Sequence, residues 1–177
     1  MHVAIGVLIV LAGLIGAVVA LQKYGVTISS FNPFLIRRRM NGKTNYGDKP
    51  IYRLAEPMEV AAVLILGVAG CEGEISAGQQ RDILDMFETE FRIGPEEAAD
   101  LLRASSQLIR SETRLADNLG RLLRKSQTSF KARQVESMLS MMHRTGKLDG
   151  KLNEEQRKLI SATERYFGRS GHTRKIW

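Results

Sequence analysis

Two eight-residue stretches, 77 positions apart, constrain this chain more than any other feature: Glu72-Gly73-Glu74-Ile75-Ser76-Ala77-Gly78-Gln79 and Asp149-Gly150-Lys151-Leu152-Asn153-Glu154-Glu155-Gln156. In each, an acid and a Gly make a tight turn and an aliphatic residue turns inward. A Ser or Asn then stands where it can cap a helix whose third residue is Gln. An apolar segment precedes each turn (Val60 to Ala69, Met138 to Met142). An amphipathic one follows, carrying Ile83, Leu84, Phe87 and Phe91 in the first copy and Leu159, Ile160, Tyr166 and Phe167 in the second. The pattern predicts one helix-turn-helix unit used twice, in an all-α bundle.

Composition agrees with helices. Only 6% of the 177 residues are aromatic, too few for a sheet that relies on aromatic and β-branched pairs. The net charge of +7 is segmented: residues 23–54 carry seven cations and one acid, 55–100 two cations and eleven acids, and 101–177 seventeen cations and seven acids. A single cysteine, Cys71, excludes an internal disulfide and a multi-cysteine metal cage. Glu72 and Glu74 beside it oppose a reactive thiolate, so it reads as a small buried residue.

Val3 to Leu21 is an uncharged apolar run, close to the roughly 20 residues that cross a bilayer as a helix. A retained anchor is expected over residues 1–23. The rival is a cleaved signal, but Met1-His2 lacks the basic start of one. Lys23, the run Arg37-Arg38-Arg39, Lys43, Lys49 and Arg53 follow the apolar run, which places the amino terminus outside and the remainder in the cytoplasm. Gly13 with Ala17, and Ala12 with Gly16, offer a small-residue face through which the anchor could form a homodimer. Residues 24–54, with Pro33, Asn41-Gly42, Gly47 and Pro50, read as a basic linker. Arg37, Arg38 and Arg39 beside Phe34, Leu35 and Ile36 suit an anionic lipid surface, or act simply as a solvated topogenic cluster.

The helical domain is expected over residues 55–168. Val60 to Cys71 is too short to span a membrane and fits a buried core helix. Further helices are predicted from about Ser76 to Phe91, from Pro95 to about Ala104, from about Leu108 to Lys125, through Val135, Met138, Leu139 and Met142, and from Asn153 to about Phe167. In the segment from Leu108 to Lys125, Leu108, Leu115, Leu119 and Leu122 form the core face, with Arg110, Arg114, Arg121 and Arg124 elsewhere. Those arginines have no interleaved aromatic residues, and no nucleic-acid motif is present, so a nucleic-acid partner is not expected. Residues 169–177 form a basic tail.

No catalytic constellation stands out. His2, His143 and His172 share no metal-ligand spacing on one helix, and the sequence has no GxSxG, P-loop or dinucleotide fingerprint. An EF-hand register fails in both turns: Thr145, Lys147 and Gln156, and Val68, Gly70 and Gln79, stand where calcium requires acids. If the two turns converge, Glu72, Glu74 and Asp149 could supply hard oxygen ligands to a divalent metal; otherwise these acids shape turns and favour the helix starts behind them.

The doubled turn, Val68-Ala69-Gly70-Cys71-Glu72-Gly73-Glu74-Ile75-Ser76 and Gly146-Lys147-Leu148-Asp149-Gly150-Lys151-Leu152-Asn153, resembles the TerB-like tellurite-resistance family over about residues 55 to 168. Glu72 stands where the family usually has Asp, and Lys151 where it often has an acid. The anchor followed by such a domain resembles the amino-terminal part of the DjlA group of membrane-anchored co-chaperones, without their J-domain. No His here precedes a Pro. The resemblance implies a single-pass bacterial inner-membrane protein whose cytoplasmic domain is an interaction module, a non-enzymatic scaffold in a stress-response or chaperone-associated setting. Its expected partners are the bilayer and a protein. Its alternative is a metal-responsive domain binding divalent cations through the acidic turns.

Overall fold

The computed structural model describes residues 49–112, 114–148 and 150–169, apart from the side chains of Glu72 and Arg169. The expected span, the basic linker as far as residue 48, Arg37 to Arg39 and residues 170–177 of the tail lie outside the described residues. Among the described residues no helix is long and apolar enough to cross a membrane, and no strand occurs. Six helices follow one another: α1 (Pro57–Ala69), α2 (Ala77–Phe91), α3 (Pro95–Ile109), α4 (Leu119–Leu123), α5 (Ala132–Gly146) and α6 (Glu154–Arg169).

The segment α1 is apolar all round, and such a helix must be covered on every side. Val60 through Leu66 are all at most 3% exposed. The covering comes chiefly from α3 and α5, with α6 and α2 completing it. Gly67 allows the closest approach: a Cβ there would meet Leu115 Cδ2 at 2.5 Å and Leu159 Cδ2 at 3.1 Å. The helices α2 and α5 each bury one stripe, Ile83, Met86 and Phe87 in the first and Val135, Met138, Met141 and Met142 in the second. Among the described residues the buried apolar side chains run from Ile51 to Phe167 and form one continuous cluster.

Both repeated turns form as expected. Gly73 (φ 118°) and Gly150 (φ 110°) take left-handed backbone, which glycine adopts without a Cβ penalty. Ser76 Oγ accepts from the Gln79 amide at 3.2 Å, and Gln79 Oε1 accepts from the Ser76 amide at 2.7 Å. Asn153 and Gln156 repeat this reciprocal box at 2.8 and 3.0 Å.

Two expectations are corrected. The helix predicted from Leu108 to Lys125 is not continuous: α3 runs on to Ile109, a turn follows, and only Leu119–Leu123 is again α-helical. Leu108, Leu115, Leu119 and Leu122 are nonetheless all buried. Residues 50–54, read as linker, contribute to the core instead. Pro50–Arg53 forms a 3-10 turn packed on α3 and α4, burying Ile51, Tyr52 and Leu54.

Candidate functional site

Two polar clusters and one groove stand out against the apolar core. The first is a knot around Glu112, whose side chain is only 4% exposed. Its Oε2 accepts from Lys49 Nζ at 3.0 Å and from the Tyr52 hydroxyl, and its Oε1 accepts from the Arg114 amide and Asn118 Nδ2, each at 3.2 Å. Burial by itself would raise the pKa of this carboxyl. Hydrogen bonds from Tyr52, Lys49 and the Arg114 amide, with the Lys49 charge, outweigh burial and lower the pKa from 4.5 to about 2. Arg121 sits over the Tyr52 ring, 4.3 Å from its centroid. The knot fastens the first described residues to the turn between α3 and α4, and Lys49 Nζ and Asn118 Nδ2 add bonds to the Ser111 and Arg114 carbonyls at 2.7 and 3.1 Å.

The second feature joins the repeated turns. Gln156, 2% exposed, donates from Nε2 to the Val68 carbonyl at 3.2 Å, across 88 residues. A Cβ on Gly146 would lie 3.2 Å from Val68 Cγ1, so the helix ends leading into both turns meet. Of the candidate metal ligands, Glu74 is exposed. The Glu72 side chain and Asp149 lie outside the described residues. Among the described residues no group of three His, Cys, Asp or Glu is placed to hold a metal ion. Cys71 is half-buried and donates its thiol to the Gly67 carbonyl at 3.0 Å. His143 Nε2 lies 3.0 Å from Glu164 Oε1, which ties α5 to α6.

The third feature is a groove of about 360 Å³ between the start of α1, the end of α2 and the outer side of α5. Its apolar wall is made by Met58, Ala61, Phe91, Phe130 and Met141, and its polar rim by Glu90, Arg92, Arg133, Gln134 and Ser137. The aromatic wall is held from behind: Phe91 stacks on Phe87 with ring centroids 5.1 Å apart, and Phe130 meets Phe167 edge-on at 5.0 Å. Arg92, which ends α2, has φ 57° and ψ 47° and is the one non-glycine residue with positive φ among the described residues. An Arg in this conformation is uncommon, because its Cβ crowds the following carbonyl.

The sequence pointed to the turns but not to the knot or the groove. Tyr52 and Glu112 are 60 residues apart and share no periodicity. The helix end expected at about Phe91 and the new start expected at Pro95 both form, and Arg92 between them lies on the groove rim.

The family described as tellurite resistance protein TerB matches residues 58–175, well over half of the chain. The chain belongs to the TerB family. No curated protein and no solved structure matches it. The matched region begins at the second residue of α1, so the knot that holds Lys49 and Tyr52 joins residues upstream of the TerB match to Glu112 within it.

Proposed function

We propose that this TerB protein is a non-enzymatic interaction module, held at the cytoplasmic face of a bacterial inner membrane by its apolar amino-terminal segment, and that it recruits a protein partner there. The observation that carries this reading is the groove: a preformed apolar trough, rimmed by hydrogen-bonding and cationic side chains, is the form of a recognition site. The apolar run from Val3 to Leu21 and the cations downstream of it support the membrane tether and the cytoplasmic placement of the domain. Arg37, Arg38 and Arg39 would then lie against anionic lipid. The test is proximity labelling from the full chain in native membranes, with Met58→Glu as the groove control. A partner enriched by the parent and lost with the variant supports the proposal, and an identical labelling pattern for both overturns it.

The meeting of the two turn-bearing helix ends favours a second reading, a metal-responsive domain in which Glu72, Glu74 and Asp149 take a divalent cation. Titration calorimetry with calcium, magnesium, manganese and zinc separates the two readings. No heat, together with an unchanged Tm, excludes the metal reading.

A further inference from the structure

We infer that the groove receives an acidic, amphipathic segment of a protein partner, its apolar side chains packed on Met58 and Phe91 over a floor of Phe130 and Met141, and its flanking carboxylates on Arg92 and Arg133. The inference rests on the interaction-module reading and supplies the partner's chemistry.

Shape comes first. Along α5 the lining recurs at Arg133, Ser137 and Met141, at four-residue intervals on one face. Eight residues at the helical rise make a trough of about 12 Å, the length of two turns of a bound helix. A compact solute would leave much of that length uncovered, whereas apolar side chains at i and i+4 of a peptide would fill it.

Charge decides the sign of the occupant. Among the described residues Glu90 is the one acid that lines the groove, and both of its oxygens are engaged, by Ser137 Oγ at 2.9 Å and Arg144 Nη1 at 3.0 Å. Arg92 and Arg133 are exposed, and among the described residues neither makes an ion pair or a side-chain hydrogen bond. The rim therefore presents two guanidiniums without an ion-pair partner beside one carboxylate that is already paired. The backbone at Arg92 points the same way. Gly or Asn would close α2 in left-handed conformation with less strain, yet an Arg stands there and its side chain lines the groove.

The test uses the full chain in detergent micelles. Three probes are compared: a fluorescein-labelled twelve-residue peptide with Leu and Phe at helical spacing and Glu between them, a twin with Lys for each Glu, and phosphatidylglycerol vesicles. The acidic peptide is expected to bind at least about tenfold more tightly than its twin, since two rim contacts change from attraction to repulsion. Arg92→Gly and Arg133→Ala should each weaken it about two- to fivefold. Arg92→Gly should leave Tm unchanged or higher, so its loss of binding cannot be assigned to unfolding. Equal affinity for the two peptides overturns the inference. So does indifference to both variants, or displacement of the acidic peptide by the vesicles. A photo-crosslinker at Gln134 of the full chain in membranes distinguishes the two levels. Capture of a basic or uncharged segment overturns the partner chemistry and leaves the interaction reading standing, whereas no capture removes both.

Discussion

Replacing Glu112 with Gln keeps the volume of the knot and removes its charge, and the structure fixes what this should do at each pH. The carboxyl titrates at about 2 in the folded chain against an ordinary 4.5. That difference of about 2.5 units corresponds to roughly 3 kcal/mol. The sign follows from the depressed pKa: the stabilisation is complete above the unfolded value near 4.5 and is lost as pH falls through the folded value near 2. Urea unfolding of parent and Glu112→Gln should therefore differ by about 3 kcal/mol at pH 7, a midpoint shift of roughly 1–2 M, and by only about 1 kcal/mol at pH 3. Salt adds a second check. Lys49 is 49% exposed while Glu112 is 4% exposed, so salt should screen part of the Lys49 contribution and leave the bonds from Tyr52 and the Arg114 amide. Coincident midpoints at pH 7, or a difference that stays constant down to pH 3, would refute this account of the knot.

Other expectations follow from the same contacts. Tyr52→Phe removes one hydroxyl donor from the buried carboxylate and should lower stability by about 1.5–3 kcal/mol, read by urea unfolding at pH 7. Gln156→Met leaves the buried Val68 carbonyl without this donor and opens the helix cap, so thermal unfolding should show a loss of about 2–3 kcal/mol, larger than the ~1 kcal/mol expected for Gln79→Met at the half-buried first turn. Gly73→Ala forces a Cβ onto a backbone at φ 118° and ψ −136°, with a loss of about 1–3 kcal/mol measured in the same way.

How much of this was legible in the sequence depends on the range of each interaction. The turns were legible because their chemistry is local: Ser76 and Gln79, like Asn153 and Gln156, bond within three residues, and the glycines take their left-handed backbone in place. Even so, the two boxes look alike on paper while Gln156 also reaches Val68 across 88 residues. The region from Leu108 to Lys125 misled because leucine spacing reports which residues are buried, not whether the backbone between them stays helical. Glu112 breaks the ladder there by accepting the Arg114 amide with its side chain and drawing in Asn118, an alternative to helical bonding that no periodicity reveals. Lys49 and Tyr52 belonged, by composition, to a linker. Only their long-range partner makes them part of the core.

The groove follows from the same competition between local stops and global covering. The helix α1 is almost wholly apolar and must be enclosed, and α3 and α5 supply most of the cover, with α6 and α2 completing it. But α2 ends at Phe91, where Arg92 turns left-handed and Gly94-Pro95 starts α3 in a new direction. Met58 is left half-buried at the start of α1, and Ala61 stands beside it on the groove wall. The end of α2 thus sets Arg92, a cation in left-handed backbone, on the groove rim, which is why Arg92→Gly separates the backbone role of that residue from its charge.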